Sequence, residues 1–123
     1  DFKIPHINYL HLTDDRLWIG AGDYEGLKYI PRNSKEIHHF RHPKLDSNSV
    51  LIIKEDGQGN LVFNTYPPSR IYFLNLEDLS LNYYSFDDRD DRVVLDVGWF
   101  IDFDIDSKGD LWLTTRNGVV TVA

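Results

Sequence analysis

Aromatic and hydrogen-bonding side chains recur in the segments that separate the short apolar runs of this sequence. A sugar is typically held by an aromatic ring against its C–H face, while Asp, Asn or Arg bonds its hydroxyls. Loops carried on a rigid scaffold are the usual place for such groups. The candidate ligand-binding residues are therefore the six that bring these types to successive loops: Asp23, Tyr24, Tyr66, Arg70, Trp99 and Arg116.

Histidines and aspartates at close spacing raise the question of a metal site. His38 and His39 are adjacent on a predicted strand, so they face opposite sides and cannot both reach one ion. The run Asp102–Asp106 places alternate carboxylates on one strand face, but the glycine and glutamate that complete a calcium loop are absent. The run Asp87–Arg92 mixes both charges and is typical of a solvated linker. We expect no metal, no cofactor and no catalytic residue in this segment.

The elements that must position these residues form a repeat. Leu17–Gly20 returns as Leu61–Asn64 and again as Leu111–Thr114. A period of roughly 45 to 50 residues, built from short apolar runs and turn residues without helical spacing, is typical of four-stranded propeller blades. We predict an all-β propeller segment of about two and a half antiparallel blades, part of a larger propeller of about seven. The predicted blades cover about residues 6–42, 48–86 and 97–123, the third incomplete.

Turn chemistry agrees between the second and third copies. Asp56 aligns with Asp106, and each is followed by a glycine and then by Asn60 or Asp110. An aspartate that bonds its own turn, followed by residues tolerant of left-handed backbone, predicts a tight hairpin. The first copy has Thr13–Arg16 there, one residue shorter, so its turn is expected to be built differently.

The strands that follow these turns differ in their connections. Glycine after Glu25 and after Asn117 predicts a hairpin in the first and third copies, whereas Pro67 and Pro68 predict a loop in the second. Outer strands are predicted at residues 36–40 and 80–86. The inner strands are apolar on both faces, as expected for sheets packed between neighbours, with Trp18 and Trp112 in the core.

Composition excludes several classes of function. A formal charge of −7 argues against a nucleic-acid surface, which requires clustered Lys and Arg. No apolar run approaches the roughly 18 residues of a membrane helix, so we expect no direct membrane contact. Cysteine is absent, which excludes disulfides and thiolate chemistry. The sequence holds fewer blades than a closed propeller needs, so we expect it to be a piece of a longer protein whose remaining blades are its partners.

The repeated pattern resembles the two-component regulator propeller repeat of periplasmic sensor regions in hybrid histidine kinases. Val62 departs from the family, which has Trp at that position, and the prolines after Tyr66 replace its Gly-Leu step. The residues that carry the resemblance are Leu17, Trp18, Ile19, Gly20, Gly26, Leu27, Tyr29 and Phe40, then Ile53, Asp56, Gly59, Asn60 and Leu61, then Ile105, Asp106, Gly109, Asp110, Leu111 and Trp112.

This resemblance implies the periplasmic ectodomain of an inner-membrane sensor. Such an ectodomain recognises oligosaccharide, contributes to the contacts of a signalling homodimer and belongs to a full-length histidine kinase. Two alternatives stay open: a propeller enzyme of the lyase or lactonase type, and a structural arc that binds nothing. A lyase would turn its ligand over and depend on a divalent ion, a sensor would bind oligosaccharide without turnover, and a structural arc would do neither.

Overall fold

The computed structural model describes residues 6–46, 48–95, 100, 102–115 and 118–122. Every regular element in this part of the chain is a β-strand. The strands are β1 Ile7–Leu12, β2 Arg16–Ala21, β3 Leu27–Pro31, β4 His38–Phe40, β5 Val50–Glu55, β6 Asn60–Thr65, β7 Arg70–Asn75, β8 Leu81–Ser85, β9 Asp102–Ile105, β10 Leu111–Thr115 and β11 Gly118–Val122.

The strands form three sheets in which neighbours in sequence are neighbours in space. The first two are four-stranded, in the orders β1-β2-β3-β4 and β5-β6-β7-β8, and the third has the order β11-β10-β9. The pairs of the first and third sheets are antiparallel throughout. The predicted all-β fold of blade-like meanders is confirmed. The outer strand predicted at residues 36–40 is shorter and begins at His38.

Backbone contacts divide the chain into two compact units. The first unit comprises residues 1–53 and 65–67, and the second comprises residues 54–64 and 68–123. Each has its own apolar core. In the first unit the fully buried side chains include Trp18, Leu27 and Leu45; in the second they include Phe63 and Tyr72, whose rings stack at 5.1 Å.

The predicted turns of the second and third sheets are confirmed in atomic detail. Oδ1 of Asp56 accepts the backbone N–H of Asn60 at 3.1 Å, and Oδ1 of Asp106 accepts that of Asp110 at 3.0 Å. Gly59 and Gly109, which directly precede Asn60 and Asp110, have φ of 90° and 86°. Glycine adopts this left-handed region without strain. Asp56 also accepts the side-chain amide of Asn60 at 2.7 Å.

The first sheet builds the same corner from a different residue. The N–H of Thr13 donates to the carbonyl of Arg16 at 2.9 Å, which closes the shorter turn expected there. The indole of Trp18 donates to Oγ1 of Thr13 at 3.2 Å, and its ring lies 5.2 Å from Tyr29 and 6.5 Å from Phe40. The predicted core position of Trp18 is confirmed.

The core position predicted for Trp112 is wrong, because 43% of this residue is exposed. Its neighbours across the sheet are Asp104 on β9 and Thr121 on β11, which are too small and too polar to cover an indole. The indole N–H instead donates to Oδ2 of Asp106 at 2.9 Å. The expectation that inner strands are buried on both faces therefore fails for β10, whose other face carries the buried Leu113.

Candidate functional site

The hairpin between β2 and β3 holds a strained tyrosine at its tip. The N–H of Glu25 donates to the carbonyl of Gly22 at 3.1 Å, and the two residues between them, Asp23 and Tyr24, have φ of 53° and 62°. Left-handed backbone is tolerated by Asp but costs a residue such as Tyr about 1–2 kcal/mol. Tyr24 is nevertheless 58% exposed, so no packing of its ring in the core offsets that cost. Strain of this kind is concentrated at ligand sites.

Ser49 ties this hairpin to the proline-rich loop after β6. Its Oγ accepts the backbone N–H of Tyr24 at 2.9 Å, and its carbonyl accepts the backbone N–H of Tyr66 at 3.2 Å. Tyr66 is 37% exposed. The structure thus brings the backbones of two of the predicted aromatic residues, which are far apart in sequence, to one serine of the first unit.

Asp23 adds a carboxylate to this surface. Its Oδ2 lies 3.1 Å from Nδ1 of His6, and both side chains are mostly exposed. The backbone N–H of Gly22 donates to the carbonyl of His6 at 2.8 Å, which fixes the histidine against the hairpin. The backbones of two exposed tyrosines thus meet at Ser49, and Asp23 and His6 lie on the same hairpin end. Aromatic rings can stack on a sugar ring, and carboxylate and imidazole groups can bond its hydroxyls.

Arg70 belongs to the second unit and is committed to partners within it. Its Nε and Nη2 donate to the two oxygens of Asp90 at 2.7 and 2.5 Å, its Nη1 donates to the hydroxyl of Tyr72 at 2.9 Å, and its guanidinium lies 4.6 Å from the ring centre of Tyr83. The hydrogen bonds from Arg70 hold the pKa of Asp90 below its usual range. This geometry is that of a cross-link between β7 and the segment after β8, and a ligand-binding role for Arg70 stays a prediction.

The interpretation of residues 87–92 as a solvated linker is wrong for Asp87 and for Asp90, the partner of Arg70, while the other four residues are exposed. Asp87 is 3% exposed and accepts the backbone N–H of Ser69 at 2.9 Å. Arg89 donates to both of its oxygens, and these bonds hold the pKa of Asp87 far below its usual range. Alternating charge in sequence could not distinguish this local fork from solvent exposure, because the decisive partner, Ser69, lies in the loop before β7.

Trp99 and Arg116, the two remaining predicted site residues, lie outside the described residues. Their ligand-binding roles stay predictions.

The histidines of β4 face opposite sides of the sheet, as predicted. His38 stacks on Tyr29 with ring centres 5.1 Å apart, while His39 pairs with Lys28 across the strand. Nε2 of His39 is buried and lacks a hydrogen-bond partner in the described part of the chain. Burial, followed by the charges of Lys28 and Arg41, lowers the pKa of this imidazole. Within the described ranges, no three His, Asp or Glu side chains converge on a position for a metal ion.

Sequence reasoning missed a cleft in the second unit. It has a volume of about 500 Å³ and is lined by the β5–β6 and β9–β10 turns, by Leu111 and Val122, and by β7 and β8, mainly through one face. Phe73, Asn82 and Tyr84 form that face. The only signal in the sequence was the alternation of polar and aromatic residues along β8, which is equally typical of any edge strand with one wet face.

Comparison with known proteins identifies the fold. No family model matches the chain, and no curated protein matches it in sequence. The solved extracellular domain of a hybrid two component system from B. thetaiotaomicron is similar over 94% of this chain, with 20% identity and a TM-score of 0.63. Virginiamycin B lyase from Staphylococcus aureus is similar over 97%, with 12% identity and a TM-score of 0.65. The chain spans 14% and 41% of the lengths of these two proteins, and the likeness to them shows that it is a propeller segment.

No helix of the described residues has the length and apolar character needed to cross a membrane.

Proposed function

We propose that this chain is the ligand-recognising part of a propeller sensor ectodomain and that it binds oligosaccharide without turnover. The observation that carries the proposal is the pair of exposed tyrosines, Tyr24 and Tyr66, held around Ser49 with one of them on strained backbone. Hydrogen bonds from Tyr24 to Ser49 and from Glu25 to Gly22 hold the hairpin backbone, so less backbone entropy is lost when the exposed ring meets a ligand. Asp23 and His6 supply the groups that a sugar hydroxyl would meet beside these rings.

The placement of this segment in a sensor has two supports. The sequence pattern resembles the propeller repeats of hybrid histidine kinases, and one structural neighbour is the extracellular domain of a hybrid two component system. We therefore propose a periplasmic location, a homodimer in the full-length protein, and further blades of the same protein as the partners of this segment. Trp99, Arg116 and Arg70 remain candidates for the complete ligand site.

A lyase is the second candidate, favoured by the likeness to virginiamycin B lyase. The described surface around Tyr24 offers one carboxylate and one imidazole, His6 and Asp23, but both are exposed to solvent. In enzymes that use acid or base catalysis, burial and neighbouring charges usually shift the pKa values of the catalytic groups. Binding without turnover is the function that this surface fits better.

The test is a calorimetric titration of the chain with manno-, gluco- and galacturono-oligosaccharides, followed by mass spectrometry of the recovered sugar. Tyr24→Ala and Tyr66→Ala are each expected to weaken binding by at least ~10-fold, as for aromatic anchors. Tyr9→Ala is the matched control, because Tyr9 is also 37% exposed and lies on β1 of the same unit. Cleaved sugar in the recovered sample would establish the lyase. If Tyr24→Ala and Tyr66→Ala bind the sugar with the same affinity as Tyr9→Ala and the parent chain, the proposed surface is refuted.

A further inference from the structure

The cleft of the second unit has an aromatic wall that is open to a ligand. Phe73 on β7 lies directly across from Asn82 on β8, and Tyr84 follows two residues later on the same face. The rings of Phe73 and Tyr84 meet edge to face, 5.6 Å apart at 66°, and Tyr84 is exposed. An exposed ring propped by a second ring is a firm stacking platform, because its orientation is fixed before a ligand arrives.

Uncommitted polar groups surround this wall. Among the residues that the structure describes, the side-chain amides of Asn82 and Gln58 and the hydroxyl of Tyr84 make no hydrogen bond. The other amides of the cleft are used locally: Asn60 donates to Asp56, and Asn75 accepts the N–H groups of its own turn. Three groups that can each donate and accept are therefore free to bond hydroxyls beside the platform.

The charge of the cleft limits what it can hold. Its lining in the described part of the chain contains no Lys or Arg, and its one ionised side chain is the carboxylate of Asp56. Recognition of a phosphate or a uronate normally uses Arg or Lys. A carboxylate nearby would repel either of these anionic ligands. The volume of about 500 Å³ lies within the roughly 300–1,000 Å³ of small-molecule sites. The fitting ligand is uncharged and rich in hydroxyls.

We propose that this cleft is a second carbohydrate subsite, which takes a neutral oligosaccharide on the Phe73–Tyr84 platform with Asn82 and Gln58 bonding its hydroxyls. The proposal rests on the proposed function in one respect, that the chain recognises sugars. It adds a site of its own in the second unit and a preference for uncharged over acidic chains.

The experiment is a calorimetric titration of the full chain with neutral manno- and gluco-oligosaccharides and with acidic galacturono-oligosaccharides. We expect Tyr84→Ala to weaken neutral binding by at least ~10-fold and Asn82→Ala by about 2- to 10-fold. Tyr84→Phe keeps the ring and loses the hydroxyl, so its affinity for neutral oligosaccharide is expected to lie between those of the parent and Tyr84→Ala. Tyr9→Ala in the first unit is the control, and the melting temperature of each variant reports folding.

The outcomes separate this inference from the proposed function. If Tyr24→Ala weakens binding while the Tyr84 and Asn82 variants bind as the parent does, the cleft is refuted and the proposed function stands. Equal or stronger binding of the acidic oligosaccharides through Tyr84 would overturn the preference for neutral chains. If none of the sugars binds the parent, both the cleft and the proposed function fall.

Discussion

The first and third sheets carry a tryptophan at the same place in the repeat, and the two tryptophans have different environments. Both indoles donate a hydrogen bond to the turn before their own strand, Trp18 to Thr13 at 3.2 Å and Trp112 to Asp106 at 2.9 Å. Trp18 is fully buried against Tyr29, whereas Trp112 is 43% exposed. The repeat therefore determines the hydrogen bond from the tryptophan indole to its turn. The residues on the neighbouring strands determine how far the indole is buried.

The second sheet extends this comparison. Val62 occupies the tryptophan position and is fully buried, and the turn aspartate, Asp56, accepts the amide of Asn60 where Asp106 accepts an indole. The turn is conserved in geometry across the second and third sheets although its side-chain donor differs. The residues proposed to bind ligand, such as Tyr24 and Tyr84, lie where the copies differ from one another.

The largest expected effect separates the two tryptophans by stability. Trp18→Ala removes a fully buried ring and is expected to lower the free energy of unfolding by about 3–5 kcal/mol. Trp112→Ala removes a half-exposed ring and is expected to cost about 1 kcal/mol. Urea unfolding of the two variants measures the difference. Equal losses would show that the burial of the two positions is the same.

A smaller effect tests whether the neighbour is the cause. A double-mutant cycle on Trp18 and Tyr29 is expected to give a coupling of about 0.5–1.5 kcal/mol, as for an aromatic pair in contact. The matched cycle on Trp112 and Thr121, which face each other across β10 and β11, is expected to give a coupling near zero. A coupling of similar size in both cycles would contradict the assignment of burial to the strand neighbours.

The smallest effect is a difference in pH dependence between the first and third sheets. Burial lowers the pKa of His39, so the folded state resists its protonation, and stability present above pH 6.5 is lost as the pH falls through the lowered pKa. In the third sheet, the hydrogen bond from Trp112 lowers the pKa of Asp106, so its contribution is complete above pH 3.8 and is lost as the pH falls further.

Thermal unfolding across the acid range checks these two windows. His39→Leu is expected to flatten the decline that begins near pH 6.5 and to leave the more acidic decline unchanged. Asp106→Asn is expected to do the reverse, with its effect confined to pH values below about 3.8. A decline near pH 6.5 that persists in His39→Leu would assign it to another group.

Much of the fold was predictable because its signals are local. The spacing of the Leu-Trp strands predicts the number and order of the sheets. The aspartate of each turn bonds a backbone N–H only four residues away, as Asp56 and Asp106 do. The exposure of Trp112 was not predictable from its own motif, since it depends on Asp104 and Thr121 across the sheet.

The candidate sites were predictable only in part, since they depend on contacts between distant loops. Tyr24 and Tyr66 were singled out by residue type, but their connection through Ser49 has no signature in the sequence. Arg70 has the residue type of a ligand-binding group, yet Asp90 binds it from 20 residues away. Tyr84 lies in a cleft formed by separate parts of the chain, so no single segment of the sequence predicts it.

Ligand recognition by the residues that differ between repeats is tested most directly by one calorimetric titration with a neutral oligosaccharide. It compares the parent chain with the variant that combines Tyr24→Ala, Tyr66→Ala and Tyr84→Ala. We expect saturable binding to the parent with the sugar recovered intact, and loss of binding by at least ~10-fold in the variant at an unchanged melting temperature. Equal binding by the two proteins, or recovery of cleaved sugar from the parent, would contradict it.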